Sequence, residues 1–328
     1  MNDNKRILTY AEAIREALRE EMLADEKVFL MGEDIGVYSG CFGVTKGLQE
    51  EFGPERVRET PISETAYVGA GIGAAMMGFR PVVELMFSDF AAVCFDQIIN
   101  QAAKIHYMFA GKTKVPMVIR MPQGAGTGAA AQHSQTLEAL YAHIPGLRVV
   151  VPSTPFDAKG LLKTSIRNND PVIFLENKLL YKSEGVVPEE EYLIPLGKAE
   201  VKREGTDVTV VTWGRTVPMC LNVADRFLKE GKSAEIVDLR TLAPLDTETV
   251  FSSVKKTGRL VVVHEASKTG GFGGEVIARV CESDVFSCLK APVKRVAAED
   301  CPVPFSSVLE HACLPDEEKI EKAIREIL

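Results

Sequence analysis

The sequence predicts an α/β protein with two domains, each built on a mostly parallel sheet. Short apolar runs alternate with amphipathic helical segments along nearly all of the 328 residues. This alternation is typical of parallel strands whose crossover helices cover both faces of the sheet. It stops once, in an acidic stretch with two prolines over residues 182–195, and then resumes. A chain of this length is expected to form about two domains.

The first helix is predicted from its capping pattern. Thr9 and Glu12 fit a capping box, and Ile14, Leu18 and Met22 then recur at spacing four. The next elements follow from apolar runs, predicted as strands, and from 3.6-residue spacing, predicted as helices. In order they are a strand at 28–31, a helix at 45–52, a glycine- and alanine-rich helix at 68–75, a strand at 82–86, a long helix at 95–108, strands at 115–120 and 147–151, a helix at 156–166 and a strand at 172–175.

The second alternation begins after the acidic stretch. Its predicted strands lie at 208–211, 234–239, 260–263 and 293–296, and its helices at 219–230, 247–256, 274–282 and 317–328. We therefore expect a first domain over 1–184, a linker over 185–204 and a second domain over 205–328.

Composition excludes several classes of protein. Lys and Arg total 38 against 46 Asp and Glu, a net charge of −8, so the chain has no electrostatic footprint for nucleic acid or an anionic membrane. No apolar run approaches the roughly 20 residues of a membrane-spanning helix. The seven cysteines include no C-x-x-C pair, which argues against a disulfide framework or a structural zinc site. The first ten residues lack the apolar core of a secretory signal, so a cytoplasmic location is expected.

Sequence motifs for hydrolases and phosphate loops are missing, and no two histidines stand at metal-ligand spacing. The run from Gly69 to Ala74 matches G-x-G-x-x-A, which admits a nicotinamide oxidoreductase. No buried strand leads directly into the motif, however, so a helix that packs closely against another backbone is the favoured interpretation.

Glu64 is the first candidate for chemistry. It stands at the head of the small-residue helix among apolar neighbours, where a carboxyl group resists ionisation and is suited to share a proton with a heterocycle nitrogen. A first-turn glutamate that complements the helix dipole explains the position equally well.

His133 follows a Gly/Ala-rich loop, which favours an acid/base or substrate-orienting role, although a structural histidine is an equal alternative. His264 precedes a glycine-rich turn that suits either anion binding or a tight turn. Phe87 and Phe90 follow a strand end, where aromatic rings are usually core but can stack on a planar cofactor.

Several longer stretches carry a resemblance to a known family. They are Gly32-Glu33-Asp34, Thr60-Pro61-Ile62-Ser63-Glu64, Ala131-Gln132-His133-Ser134-Gln135, Pro145-Gly146-Leu147, residues 157–162 and residues 194–199. Over nearly its whole length the chain resembles the β subunit of the thiamine-diphosphate-dependent E1 component of 2-oxo-acid dehydrogenase complexes. Residues 84–90 and 107–112 are most similar to the acetoin dehydrogenase branch, with pyruvate dehydrogenase as the near neighbour.

The resemblance implies a pyrimidine-binding domain followed by a transketolase-like C-terminal domain. It also implies an α2β2 heterotetramer in which the E1 α subunit holds the diphosphate and Mg²⁺ through a G-D-G motif, a motif that this sequence lacks. The product acyl group would pass to the lipoyl groups of an E2 acyltransferase core. A β–β contact is expected at the small-residue helix.

Site residues follow from the same resemblance. Glu64 would bond N1′ of the aminopyrimidine and favour its imino form, Glu33 would also contact the cofactor, and Met86 and Phe90 would line and stack on the ring. His133 would orient the substrate or the lipoyl group. A K⁺ loop in the family matches Ser165, Asn168 and Asp170, with Met117 nearby, although Asn168 and Asp170 exchange the usual acid and amide.

A second class of function stays open. The chain also suits a non-catalytic docking subunit that tethers a lipoyl-bearing core through its second domain, with the charged helix at 317–328 as the contact. The residues that match acetoin, pyruvate and branched-chain 2-oxo-acid enzymes are the same, so the sequence leaves the substrate open.

Overall fold

The computed structural model describes residues 6–328 and divides into two compact units. The first unit comprises the chain up to Gln123 together with Leu140–Leu196, and the second comprises Gly124–Ala139 and Gly197–Leu328. Residues 1–5, which belong to the segment considered above for a secretory signal, lie outside the described range. The domain boundaries proposed above at 184 and 204 stay a prediction.

The first unit begins with the expected capped helix, because Thr9 accepts a hydrogen bond from Glu12 N while the Glu12 carboxylate accepts one from Thr9 N. Its elements are β1 (Ile7–Thr9), α1 (Tyr10–Ala24), β2 (Val28–Gly32), α2 (Leu48–Phe52), β3 (Val57–Glu59), α3 (Glu64–Met76), β4 (Arg80–Glu84), α4 (Ile105–Met108), β5 (Val118–Gln123), α5 (Glu138–Ala142, which runs across the boundary at Ala139), β6 (Arg148–Val150), α6 (Pro155–Arg167), β7 (Val172–Asn177) and β8 (Glu184–Val186).

Six of these strands form a parallel sheet in the order β6-β7-β5-β4-β2-β3. Strands β1 and β8 form a separate antiparallel ribbon. The sheet is buried on both faces, and helices α1 and α6 pack against each other over a core that includes Ile14, Leu18, Leu161 and Ile166. Strands β2 and β4 are neighbours in this sheet, so their carboxyl ends lie side by side, with Gly32 paired to Glu84.

The second unit holds a five-stranded sheet in the order β14-β13-β10-β11-β9, parallel except for the edge strand β9. Its elements are β9 (Glu200–Arg203), β10 (Val208–Thr212), α7 (Thr216–Lys229), β11 (Ala234–Asp238), β12 (Thr241–Ala243), α8 (Thr247–Thr257), β13 (Leu260–Ser267), α9 (Gly273–Cys281), β14 (Lys294–Ala298), α10 (Ser307–Cys313) and α11 (Glu317–Arg325). No helix among residues 6–328 is long and apolar enough to cross a membrane.

The prediction of one long regular α-helix at 95–108 is wrong. Gln97–Ala102 form a π-helix, and only Ile105–Met108 are α-helical afterwards. Ala103 N donates to Ile98 O, five residues back, and this places an extra residue in the turn. The Ala103 carbonyl also packs tightly against Gly146, where a Cβ would lie 2.1 Å from it, so tertiary packing at this turn accompanies the irregular geometry.

Candidate functional site

Glu64 is the first residue of α3, and only 7% of it is exposed. No described residue donates a hydrogen bond to its carboxylate. The preceding loop is tied to the sheet, because Thr60 N donates to Gly32 O at the end of β2. The residue therefore presents a carboxyl group without a described hydrogen-bond donor at the N-terminus of α3.

Glu33 directly follows β2, and the structure brings it together with Glu64. Burial, and then the neighbouring Glu64 carboxylate, raise the pKa of Glu33 above its ordinary value. Its Oε1 atom is buried without a hydrogen-bond partner in the described part of the chain. Its surroundings therefore favour the protonated form of Glu33.

Tyr67 and Cys94 border the two acids, and sequence reasoning missed both. Burial, and then the charges of Glu33 and Glu64, raise the pKa of the Tyr67 hydroxyl well above its usual range. Burial and then Glu64 raise the pKa of the Cys94 thiol to about 12. Both groups therefore stay neutral at physiological pH. Tyr67 could have been identified from the sequence, since it lies three residues after Glu64 on the same helix face.

Met86, Phe87 and Phe90 extend from the carboxyl end of β4, beside the end of β2 that leads into Glu33. Phe87 and Phe90 meet edge to face at 5.5 Å between ring centroids, and Phe42 meets Phe87 in the same way at 6.0 Å. Met86 and Phe90 are half-buried. Aromatic side chains thus stand at the carboxyl edge of a parallel sheet, where α/β proteins commonly bind ligands.

A buried ion-pair network underlies this edge. Arg120 in β5 donates to Glu84 in β4 at 2.5 Å and to both carboxylate oxygens of Glu176 in β7 at 2.7 and 2.8 Å. Tyr181 donates to Glu176 at 2.7 Å. Burial raises the pKa of Glu84 in spite of Arg120. No local sequence pattern points to this network, because Arg120 and its two glutamates come from three separate strands.

His133 belongs to the segment Gly124–Ala139 of the second unit, whereas Glu64 and Glu33 belong to the first. Two buried glutamates hold the loop that precedes it. Glu265 accepts a hydrogen bond from Ala125 N at 2.7 Å, and Glu310 accepts one from Gly126 N at 2.7 Å and one from Gly128 N at 3.1 Å. Sequence reasoning missed both anchors, since each lies more than 120 residues further along the chain.

The four residues matched to a K⁺ loop carry hydrogen bonds of their own. Ser165 Oγ donates to Leu161 O, Asn168 Oδ1 accepts from Asp170 N, and the Asp170 carboxylate is paired with Arg148 at 2.7 Å. Met117 is buried, and its carbonyl accepts from Val172 N. Among residues 6–328, no group of three or more His, Cys, Asp or Glu side chains is arranged to hold a metal ion.

The glycines of the G-x-G-x-x-A run lie inside α3 rather than in a turn between strand and helix. A Cβ at Gly71 would come within 2.8 Å of a Val83 methyl group, so this glycine allows close packing on β4. The expected helix is confirmed, although Gly71 packs against side chains and not against another backbone, and the glycines do not form a dinucleotide-binding turn.

Known proteins resemble this chain over nearly its full length. Models of the transketolase pyrimidine-binding domain and the transketolase C-terminal domain match residues 7–184 and 197–320. The β subunit of acetoin:2,6-dichlorophenolindophenol oxidoreductase from Cupriavidus necator is 52% identical, with 98% of each chain covered. The chain belongs to the family of dehydrogenase E1 β subunits. It is therefore an oxidoreductase subunit with the transketolase-like two-domain fold predicted above.

Other family members are nearly as similar. The Bacillus subtilis β subunit with the same acetoin name is 48% identical, and the pyruvate dehydrogenase E1 β subunit of Rickettsia felis is 46% identical, each with 98% of both chains covered. The fold agrees with a solved split-gene transketolase, described as an inactive beta4 tetramer, with a TM-score of 0.81, 24% identity and 98% coverage of both chains.

Proposed function

We propose that this chain is the β subunit of a thiamine-diphosphate-dependent E1 enzyme that acts on acetoin and transfers the acetyl group to a lipoyl group of an E2 core. The observation that carries the proposal is the paired acid at Glu33 and Glu64, in a domain matched by the transketolase pyrimidine-binding model. The acetoin branch is favoured by the 52% identity to the Cupriavidus necator acetoin enzyme, since the pyruvate and 2-oxoisovalerate enzymes match at 46–48%.

The residues of the first unit fit an aminopyrimidine ring. The Glu64 carboxylate is buried yet has no protein hydrogen bond in the described chain, and Glu33 has an unbonded buried oxygen. A ring nitrogen of a bound aminopyrimidine would supply the partner that the Glu64 carboxylate lacks. Bound thiamine diphosphate supplies a thiazolium carbon that adds to carbonyl groups.

Each proposed role belongs to a residue with defined surroundings. Glu64 would hold a proton at N1′ of the aminopyrimidine. Glu33 would contact the cofactor beside it. Phe90, held by Phe87, stacks on the ring, and Met86 lines its side. His133 orients the substrate or the incoming lipoyl group from its anchored loop. The diphosphate and Mg²⁺ are assigned to the α subunit.

We also propose that the chain assembles with an α subunit as an α2β2 heterotetramer, with a β–β contact on α3. Ala70 and Gly73 form an exposed small-residue stripe on that helix, with exposed Met77 directly after its end, and a Cβ at Gly73 would meet no heavy atom within 4 Å. The K⁺ site at Ser165, Asn168, Asp170 and Met117 stays a proposal for backbone carbonyls, because the three polar side chains already have partners.

The test is reconstitution with the α subunit, Mg²⁺ and thiamine diphosphate. We expect dichlorophenolindophenol reduction with acetoin to exceed that with pyruvate or 2-oxoisovalerate, and Glu64→Gln to lower turnover by about 10²–10⁴-fold, the usual contribution of a positioned acid or base. Glu50→Gln is the matched control, since it neutralises an exposed first-turn acid of another helix. Full activity of Glu64→Gln would instead favour the docking subunit that the sequence left open.

A further inference from the structure

Two thiols of the second unit lie against each other. The Sγ atoms of Cys301 and Cys313 are 3.2 Å apart. Cys301 is exposed in the loop after β14, and Cys313 is the half-buried last residue of α10. All seven cysteines are free thiols and all lie in the described range, but only these two make a sulfur–sulfur contact there.

The main chain fixes this approach. Glu299 N donates to Cys313 O at 2.9 Å, which joins the loop to the end of α10, and Cys301 N donates to Glu299 O at 2.9 Å. The Asp300 carboxylate accepts from Thr269 N at 3.0 Å and from Thr269 Oγ1 at 2.6 Å, which fastens the same loop from its other side. The two sulfurs therefore stay adjacent, and a bond of about 2.05 Å requires their approach by only about 1 Å.

We propose that Cys301 and Cys313 form a reversible intrachain disulfide and thus make a redox modification site on this subunit. The oxidant is a low-molecular-weight disulfide such as oxidised glutathione. The Cys301 thiolate attacks one sulfur of the oxidant and releases one glutathione thiolate. The Cys313 thiolate then attacks the Cys301 sulfur and releases the second glutathione. Two protein thiols lose two protons and two electrons, and the oxidant becomes two thiols.

The order of attack follows from the surroundings of each thiol. Cys301 is exposed and meets the oxidant first. The hydrogen bond with Cys301 and partial burial raise the pKa of the Cys313 thiol, so Cys313 is the less reactive of the two toward an external disulfide. Once Cys301 carries glutathione, that hydrogen bond is lost and Cys313 lies next to the sulfur it attacks.

The position links the disulfide to the His133 segment. Glu310, which holds Gly126 and Gly128, lies one turn before Cys313 on the same short helix. Both cysteines also line a cavity of about 490 Å³ together with Ser134 and Gln135, which directly follow His133. Closing the disulfide therefore constrains the helix end that carries an anchor of this loop. Any effect on turnover rests on the proposed function, whereas formation of the bond does not.

The experiment exposes the reduced full-length chain to oxidised glutathione and maps its peptides without reduction. We expect a peptide that joins Cys301 to Cys313, loss of two of the seven titratable thiols, and recovery of both with dithiothreitol. Cys313→Ser is expected to retain glutathione on Cys301. Cys281→Ser, which removes an exposed cysteine with no sulfur neighbour, is the matched control and should form the disulfide like the wild type.

The proposal is overturned if Cys301 and Cys313 take up glutathione separately without a joined peptide, or if Cys301→Ser still loses two titratable thiols. A second readout is the melting temperature. Closing a loop between these residues should raise it in the oxidised wild type and leave Cys301→Ser unchanged. The activity test with Glu64→Gln is carried out under reducing conditions, so failure of the disulfide and failure of the proposed function are separate results.

Discussion

His264 is a buried imidazole that stacks on Trp213 at 5.3 Å between ring centroids. Neither ring nitrogen makes a hydrogen bond within the described residues. Burial, and then the nearby charge of Arg295, lower the pKa of His264 to about 4. A Cβ at Gly271 or Gly273 would come within 2.6 Å of the ring, so the glycine-rich turn packs around it. This favours the tight-turn interpretation over the anion site that the sequence also allowed.

The lowered pKa predicts acid sensitivity. Between about pH 6.5 and pH 4 the unfolded chain binds a proton at His264 that the folded chain does not, so the free energy of unfolding falls as the pH falls through this window. We expect His264→Gln to flatten that slope, as measured by melting temperature at several pH values. If His264→Gln keeps the wild-type slope, other groups cause the pH dependence. The control is His311→Gln, which changes an exposed histidine and should keep the wild-type slope.

Glu310 acts on the proposed site through main-chain groups alone. Its carboxylate accepts hydrogen bonds from Gly126 N and Gly128 N, and only 1% of the residue is exposed. We expect Glu310→Gln to lower the rate of acyl transfer to a lipoyl domain about 10-fold, because small displacements of a positioning group are costly. The rate of dichlorophenolindophenol reduction should fall less than the rate of acyl transfer.

The split between the two assays separates positioning from general damage. Equal loss in both assays, together with a lower melting temperature, would mean that Glu310 only stabilises the fold. Glu282→Gln, at an exposed acid directly after α9 in the same unit, should leave both rates unchanged.

At the scale of elements, three neighbouring strands share the charge network of Arg120, Glu84 and Glu176. Removing the guanidinium leaves two buried carboxylates without their counter-charge. We expect Arg120→Met to lower the free energy of unfolding by about 3–5 kcal/mol in chemical denaturation. Arg279→Met breaks an exposed pair with Glu275 and should cost less than about 1 kcal/mol. A similar small loss for Arg120→Met would contradict the importance of the network.

Elements were predictable where the signal was local. The capping box at Thr9 and the apolar runs of β2, β7 and β13 gave the right element at nearly the right place. The short strands β1, β3, β8 and β9 were missed, because three or four residues carry too little periodicity and their pairing depends on distant segments. Helix α10 was missed for the same reason: it has seven residues, and Phe305, Val308 and Leu309 in and beside it are exposed.

The candidate site shows the same limit. Glu64 could be selected from its place at the head of a helix, and the resemblance added Glu33, Met86 and Phe90. The supporting residues could not be identified from the sequence, since Glu265 and Glu310 reach the His133 loop only through the folded second unit. Charge pairing across strands, as at Arg120, is equally invisible to a periodicity argument.

At the scale of the whole molecule, the exposed stripe on α3 allows assembly to be tested separately from folding. A side chain at Gly73 meets open space within the chain. We expect Gly73→Arg to leave the melting temperature of the isolated chain nearly unchanged but to shift the reconstituted enzyme from α2β2 to a smaller species in native mass spectrometry. Ala24→Arg, at an exposed residue at the end of α1, is the control. An intact α2β2 assembly with Gly73→Arg would place the β–β contact elsewhere.

The path of the chain has a consequence for how such a subunit can be cut or recombined. The polypeptide leaves the first unit after Gln123, contributes residues 124–139 to the second, and returns before leaving again after Leu196. A fragment that stops near residue 196 keeps the His133 loop but discards both glutamates that hold it. The two halves are thus not interchangeable modules: a single-point fusion near residue 196 takes residues 124–139 and their two glutamate anchors from different parents, whereas a join before Gly124 keeps them together.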